Sequence, residues 1–245
     1  MKAMTRDRVF ATKRGQIQPF SFNREVAEVF EDMLVRSVPL YKESVRRQAE
    51  LARRFYQPGT RIYDLGCSHG NFGVLLKALF RQTRFTLVGV DTSKPMLEKY
   101  RNRLGQKEPG RCIHLVCGGM EDIRITKASV VVINLTLQFL NPAGRDDLIS
   151  RIFSGMTPGG VLLLMEKTAH PEPAMHQLHL DVYEQFKREN GYSDLEISQK
   201  RDALEKVLIP DTLDTHFQRL HRAGFSQVDV WLKWFNFSAI MAVKA

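Results

Sequence analysis

Cysteine is scarce in this chain: three in 245 residues, at Cys67, Cys112 and Cys117. No two of them form a C-x-x-C pair, and the odd count argues against a disulfide framework. The expected compartment is therefore reducing, the cytoplasm. Long hydrophobic runs are missing too, so no segment has the length of a membrane span. Met1 to Phe20 is polar and basic and lacks the apolar core of a secretory signal. There is no internal repeat and no low-complexity tract, which excludes solenoids and linkers. What remains is a chain long enough to bury one sizeable core, read as a single domain over residues 1–245.

Acidic residues are outnumbered, 27 against 36 Lys and Arg, for a net charge of +9. Such a balance concentrates anionic ligands or nucleic acid around a protein. The basic residues are spread along the chain, however. Neither of the densest groups, Arg6 to Arg14 and Arg46, Arg47, Arg53 and Arg54, is interleaved with stacking aromatics. A basic solvated surface is the simpler reading.

From residue 61 onward apolar runs alternate with amphipathic stretches, the pattern of repeated βαβ units. The expected strands are Arg61–Leu65, Phe85–Asp91, Ile113–Cys117, Ser129–Asn134, Gly160–Glu166, Gln227–Phe235 and Phe237–Val243. The Val/Ile/Leu-rich members suit parallel strands covered on both faces. The last two adjoin at Asn236, which leaves room only for antiparallel pairing. Helices are expected from Asn71 to Phe80, from a Ser93 cap through Tyr100, from Arg145 to Met156, and from Asp211 or Thr212 to a stop at Gly224. Pro158-Gly159-Gly160 reads as a turn feeding the next strand. The fold class is α/β, Rossmann-like: a seven-stranded, mostly parallel sheet with a C-terminal antiparallel strand, the sheet of the class I methyltransferases.

Two segments are extra to this core. Residues 1–56 form a helical N-terminal extension (Glu25–Arg36 and Lys42–Phe55, broken at Pro39), and residues 168–210 a polar, largely helical insertion between the fifth and sixth strands, broken at Asn190-Gly191. Ligands of doubly wound sheets bind at the carboxyl ends of the strands, so an insertion leaving the fifth strand can cap the pocket.

The chemistry is concentrated at Asp64-Leu65-Gly66-Cys67-Ser68-His69-Gly70 and at Asp91. An acid leading into a glycine turn, with a second acid closing the next strand, describes an adenosine pocket. The glycines admit the ligand and the second acid takes the ribose hydroxyls. The pattern D-x-G-x-x-x-G looks like motif I of the S-adenosylmethionine (SAM) dependent methyltransferases. Gly118-Gly119-Met120, after the third strand, is the loop that contacts adenine in such folds, with Asp122 beside it a solvated acid and a weaker candidate ligand. Asn134, a polar end to an apolar run, is placed to reach the methionine end of SAM. His170, His176 and His179 lack a completing ligand set, so no metal is expected and they read as exposed histidines. Arg201, on a helix of the insertion, reads as a surface arginine paired with Glu205. Tyr41 reads as packing.

Several segments together resemble the carboxy-S-adenosyl-L-methionine synthase family. They include Arg36-Ser37-Val38-Pro39 with Tyr41, Tyr63-Asp64-Leu65-Gly66-Cys67-Ser68, Thr136-Leu137-Gln138-Phe139-Leu140, Phe186-Lys187-Arg188, Asn190-Gly191-Tyr192-Ser193, Leu195-Glu196-Ile197-Ser198-Gln199-Lys200-Arg201 and Phe235-Asn236-Phe237. The similarity runs nearly the whole chain, and the insertion motif is its most specific part. The resemblance implies an enzyme that does not methylate but converts SAM and prephenate to carboxy-SAM and phenylpyruvate. The product feeds carboxymethyl transfer to the wobble uridine of tRNA. By match, Tyr41, Gly66, Cys67, Ser68, Asp91, Thr92, Asn134 and Arg201 would contact the SAM-derived ligand, Arg201 meeting the new carboxylate through its planar fork. The family is typically homodimeric. Loss of a proton from the methyl carbon beside the sulfonium gives a carbon nucleophile, and prephenate supplies the base as it loses hydroxide and carbon dioxide and becomes aromatic. The family's usual acid-plus-Ile pair is Gly119-Met120 here, its Gly after Pro39 is Leu40, and its usual Asn is Thr92. Two rival readings are an ordinary methyltransferase acting on tRNA or a small molecule, and a non-catalytic SAM-binding or tRNA-associated protein. The charge leaves direct tRNA contact open.

Overall fold

The computed structural model describes residues 5–80, 84–105 and 111–245. Five strands run parallel: β1 (Arg61–Leu65), β2 (Phe85–Asp91), β3 (Arg111–Cys117), β4 (Ala128–Asn134) and β5 (Met156–Ala169). A two-residue β6 (Asp211–Thr212) pairs parallel with the end of β5. β7 (Gln227–Trp234) and β8 (Phe237–Val243) close the sheet, β8 lying antiparallel to both β5 and β7. The order along the main path is β3-β2-β1-β4-β5-β8-β7. That is the expected seven-stranded sheet, with β6 as a small addition.

Helices cover both faces. On one side lie α1 (Arg24–Ser37), α2 (Tyr41–Phe55) and α3 (Asn71–Leu79). Val45, Ala49 and Ala52 are small enough for α2 to sit close to the sheet. On the other lie α5 (Pro142–Gly155) and α8 (Leu213–Ala223), which bury Leu148, Ile149, Ile152 and Leu220. α4 (Lys94–Leu104) packs Leu97 and Tyr100 against Cys67. The insertion folds as α6 (Pro173–Glu189) and α7 (Asp194–Leu204), the second started by a capping box of Ser193 and Glu196.

Several boundaries differ from expectation, three of them with a clear local cause. β5 begins at Met156, because Pro158-Gly159-Gly160 makes an irregularity inside the strand. The register against β4 shifts there, and the Gly159 amide donates to the Lys244 carbonyl at 2.7 Å. α5 starts earlier, at Pro142 behind an Asn141 cap. Asp211 and Thr212 are strand, with Thr212 capping the helix that follows. Among the described residues no helix is long and apolar enough to cross a membrane.

Candidate active site

β1, β2 and β4 end side by side at the point where the strand order reverses, and their carboxyl ends open into a cavity of about 370 Å³. Gly66 leaves β1 at φ 79° with Thr136 so close that a Cβ would lie 2.3 Å from it. Gly70, at φ 84°, starts α3, where a Cβ would meet the Tyr100 ring at 2.0 Å. Only glycine satisfies both the left-handed backbone and these contacts. Between them Ser68 is also left-handed, φ 47°, and its amide donates to Asp91 Oδ2 at 2.8 Å.

Asp91 accepts a second backbone bond, from Ser93 at 2.8 Å. Burial raises its carboxyl while the Ser93 and Ser68 amides pull it back down. Asp64, one strand over, is buried and its Oδ2 meets no donor among the described residues. Burial, with Asp91 beside it, pushes its carboxyl up to about 8. Asn134 donates to Gln48 Oε1 at 3.1 Å, leaving Asn134 Oδ1 and Gln48 Nε2 without partners. Buried polar atoms are rarely left unmade in a folded protein. Those of Asp64 and Asn134 belong to residues lining the cavity, and a polar ligand would complete them.

The residues expected at the site converge here with one exception. Tyr41, Gly66, Cys67, Ser68, Asp91, Thr92, Gly119, Met120 and Asn134 all line the cavity. Tyr41 is the first residue of α2, buried, and its hydroxyl accepts from Asn71 Nδ2 at 3.0 Å. Burial pushes its phenol up, so it stays protonated. Arg201 does not line the cavity. It lies on α7 with its side chain 62% exposed, held by Glu184 of α6 at 3.1 Å rather than by Glu205. The residue before it, Lys200, faces the cavity instead.

Other expectations need correction. His179 is buried, its ring 5.5 Å from His170 and 5.6 Å from Phe235, so it is a packed residue rather than an exposed one, while His170 and His176 are half-buried. At the adenine loop, a Cβ on Gly119 would lie 2.6 Å from Glu121 Cδ, so the Glu121 carboxylate fills the space a side chain at 119 would enter.

Three contributors, Glu166, Lys167 and Lys200, were not anticipated, while His69 was expected near the ligand from its place in the glycine turn. Glu166, at the end of β5, accepts the amides of Thr136, Leu137 and Gln138 at 2.9, 2.8 and 3.1 Å and so fixes the loop behind Asn134. Like Asn134 it is a polar end to an apolar run, a signal read at one strand and not at the next. His69 lines the cavity with its Nε2 2.9 Å from Glu31. Lys167 and Lys200 line its other end.

A methyltransferase-domain family model matches residues 62–160. Over 241 residues, 98% of both chains, the sequence is 57% identical to carboxy-S-adenosyl-L-methionine synthase of Desulforapulum autotrophicum. The chain belongs to the carboxy-S-adenosyl-L-methionine synthase family. A Geobacter synthase is 43% identical over 244 residues, covering 98% of this chain and all of the other. Solved structures carry the same fold at low identity. Human N-acetylserotonin methyltransferase in complex with SAM gives a TM-score of 0.60 at 16% identity, over 91% of this chain and 55% of that one. An O-methyltransferase family protein from Burkholderia thailandensis gives 0.62 at 16%, over 94% and 65%. In this carboxy-SAM synthase family member the glycine turn and both acids, Asp64 and Asp91, stand at the cavity, with the Glu121 carboxylate beside Gly119.

Proposed function

We propose that the chain is a single SAM-binding domain that converts SAM and prephenate to carboxy-SAM and phenylpyruvate, in the cytoplasm. The observation that carries this is the cavity between Asp64, Asp91 and Asn134, roofed by Tyr183 of α6 and Lys200 and Leu204 of α7. The unpartnered Asp64 Oδ2 and Asn134 Oδ1 suit the methionine portion of SAM, a carboxylate for an ammonium and an amide for a polar end. Asp91 holds the ribose, with the Ser68 turn fixed beneath it, and Gly119, Met120 and Glu121 bound the adenine side.

When bound, SAM supplies a methyl carbon made acidic by its sulfonium. The chain's part is to place that carbon and keep water away. Phe22, Phe30, Leu34 and Phe139 give the cavity apolar walls. The Tyr41 phenol, held protonated by burial, donates a hydrogen bond and positions; it is no base. Among the described residues His69 is the one histidine at the cavity; it is engaged by Glu31, and burial lowers its pKa. No side chain there is strong enough to deprotonate a methyl carbon, so the base has to arrive with the second substrate.

Arg201 then serves the carboxylate from a second copy of the chain. Its exposed guanidinium and its place outside its own cavity support a homodimer. The product is the donor for a tRNA carboxymethyltransferase, the functional partner. Of the basic group Arg46, Arg47, Arg53 and Arg54, the first two are neutralised by Glu43 and Glu50 at 2.7–2.8 Å and lend no support to direct tRNA binding. The test is to incubate the protein with SAM, with and without prephenate, and weigh the nucleoside. A species heavier by one carbon dioxide, formed only with prephenate, is expected. S-adenosylhomocysteine with a methylated acceptor would instead make the chain an ordinary methyltransferase.

A further inference from the structure

The cavity is chemically lopsided. Its SAM end carries three acidic side chains, Asp64, Asp91 and Glu121. Its other end is built by the end of β5, the insertion helices and the start of β8: Lys167, Tyr183, Lys200 and Phe237, with Ser37 of α1 beside them. Lys167 Nζ sits 4.2 Å above the Tyr183 ring and 5.6 Å from that of Phe237. Among the described residues it has no ion-pair partner. Lys187 lies 4.4 Å above the same Tyr183 ring and has none either. Lys200 donates to Ser37 Oγ at 3.4 Å and is 3.9 Å from Asp7. Asp7 is already engaged, accepting from the Tyr192 hydroxyl at 2.5 Å and the Val9 amide at 3.1 Å.

Three ammonium groups thus share one weak carboxylate contact. Burial, and then their mutual repulsion, lowers Lys167 to about 7; burial lowers Lys187 and Lys200 to about 8. Buried like charges without counter-ions are costly and mark sites that an anion completes. Cation–ring contacts hold Lys167 in place without using up its charge, because an aromatic face is no counter-ion.

We infer that Lys167 and Lys200 form an anion subsite that grips a carboxylate of the second substrate, with Tyr183 and Phe237 as walls for its six-membered ring. The inference rests on the reaction proposed above and adds where in the cavity prephenate is held: at the end opposite the acids, under the cap. The acid-rich end repels a dicarboxylate and the lysine end attracts it, so the two substrates are sorted by charge within one cavity. Lys200 and Arg201, adjacent on α7, then have different duties, one on the incoming substrate and one on the carboxylate made.

Phenylpyruvate, an aromatic keto acid, is the probe, titrated by calorimetry into protein saturated with S-adenosylhomocysteine. Lys167→Met and Lys200→Met are compared with wild type, Lys167→Arg serves as the charge-keeping control, and melting curves establish that each folds. Each Met variant is expected to weaken phenylpyruvate, and to raise the prephenate KM, about 10- to 100-fold, the loss expected for one hydrogen bond to a charged group. S-adenosylhomocysteine affinity should stay within about twofold, since other residues hold it. Unchanged phenylpyruvate affinity overturns the inference. So does weakening of S-adenosylhomocysteine alone, which would give the lysines to the methionine carboxylate. The titration needs no turnover: if wild type makes no carboxy-SAM the proposed reaction fails, and the subsite is still judged by phenylpyruvate.

Discussion

Asp64 keeps one carboxylate oxygen buried and unpartnered at the edge of the cavity. Its pKa is raised from 3.8 to about 8, so its contribution to stability is present below pH ~4 and is lost as pH climbs towards 8. Asp64→Asn removes that slope. The variant should be more stable than wild type at pH 9 by about 1–3 kcal/mol, with a smaller gap at pH 6, while binding SAM at least about tenfold more weakly. Thermal melts at the two pH values and a SAM titration check this. A variant less stable at pH 9 would contradict it. The same scale explains what the sequence hid. The Lys200-Arg201 pair is plain in it, but neighbours on a helix point about 100° apart, and no spacing argument says which one faces a cavity. Asp91 and Asn134 were legible because each closes an apolar run at a strand's carboxyl end, and Asp64 because it leads into the glycine turn. Lys167 was not, because β5 runs on to Ala169 and a lysine inside a strand reads as surface.

At the scale of elements, the loop after β4 depends on β5. Leu135 is left-handed at φ 56°, and the turn behind it hangs on Glu166 through three amides. Burial pushes the Glu166 carboxyl up to about 8 against the pull of those amides and of Arg145. Glu166→Ala orphans all three donors and should cost roughly 3 kcal/mol or more, with Glu166→Gln costing less. Denaturant curves measure it, and SAM affinity should fall with Glu166→Ala because Asn134 loses its support. Leu40 offers the opposite case. It opens α2 at φ 55° and is half exposed, a backbone conformation that glycine adopts without cost. Leu40→Gly relieves about 1 kcal/mol of strain, partly offset by chain entropy, so a neutral or slightly raised melting temperature is expected, whereas Leu40→Val should lower it. The strand and helix succession was readable from periodicity. The irregularity at Pro158-Gly159-Gly160 was not, since the same residues make a turn unless a neighbouring strand, here through the Lys244 carbonyl, fixes the register.

At the scale of the whole molecule, the sheet order, the reversal point and the cap over it follow from the βαβ pattern and the insertion's position. The insertion's length gave no hint that it turns Lys200 inward and Arg201 outward. If Arg201 acts across a dimer, mixing two dead variants repairs the enzyme. Arg201→Ala and Asp91→Ala chains, reassorted at equal ratio, should regain about a quarter of the wild-type sites, because half the dimers are mixed and each has one complete site. No recovery would place Arg201 in its own chain's site. The proposed reaction requires that one cavity hold both substrates, so that the carboxyl group passes directly between them. Prephenate carrying carbon-13 in its ring carboxylate, turned over in buffer with unlabelled bicarbonate, tests it most directly. Carboxy-SAM that retains the label is expected. Unlabelled carboxy-SAM, or none, would contradict it.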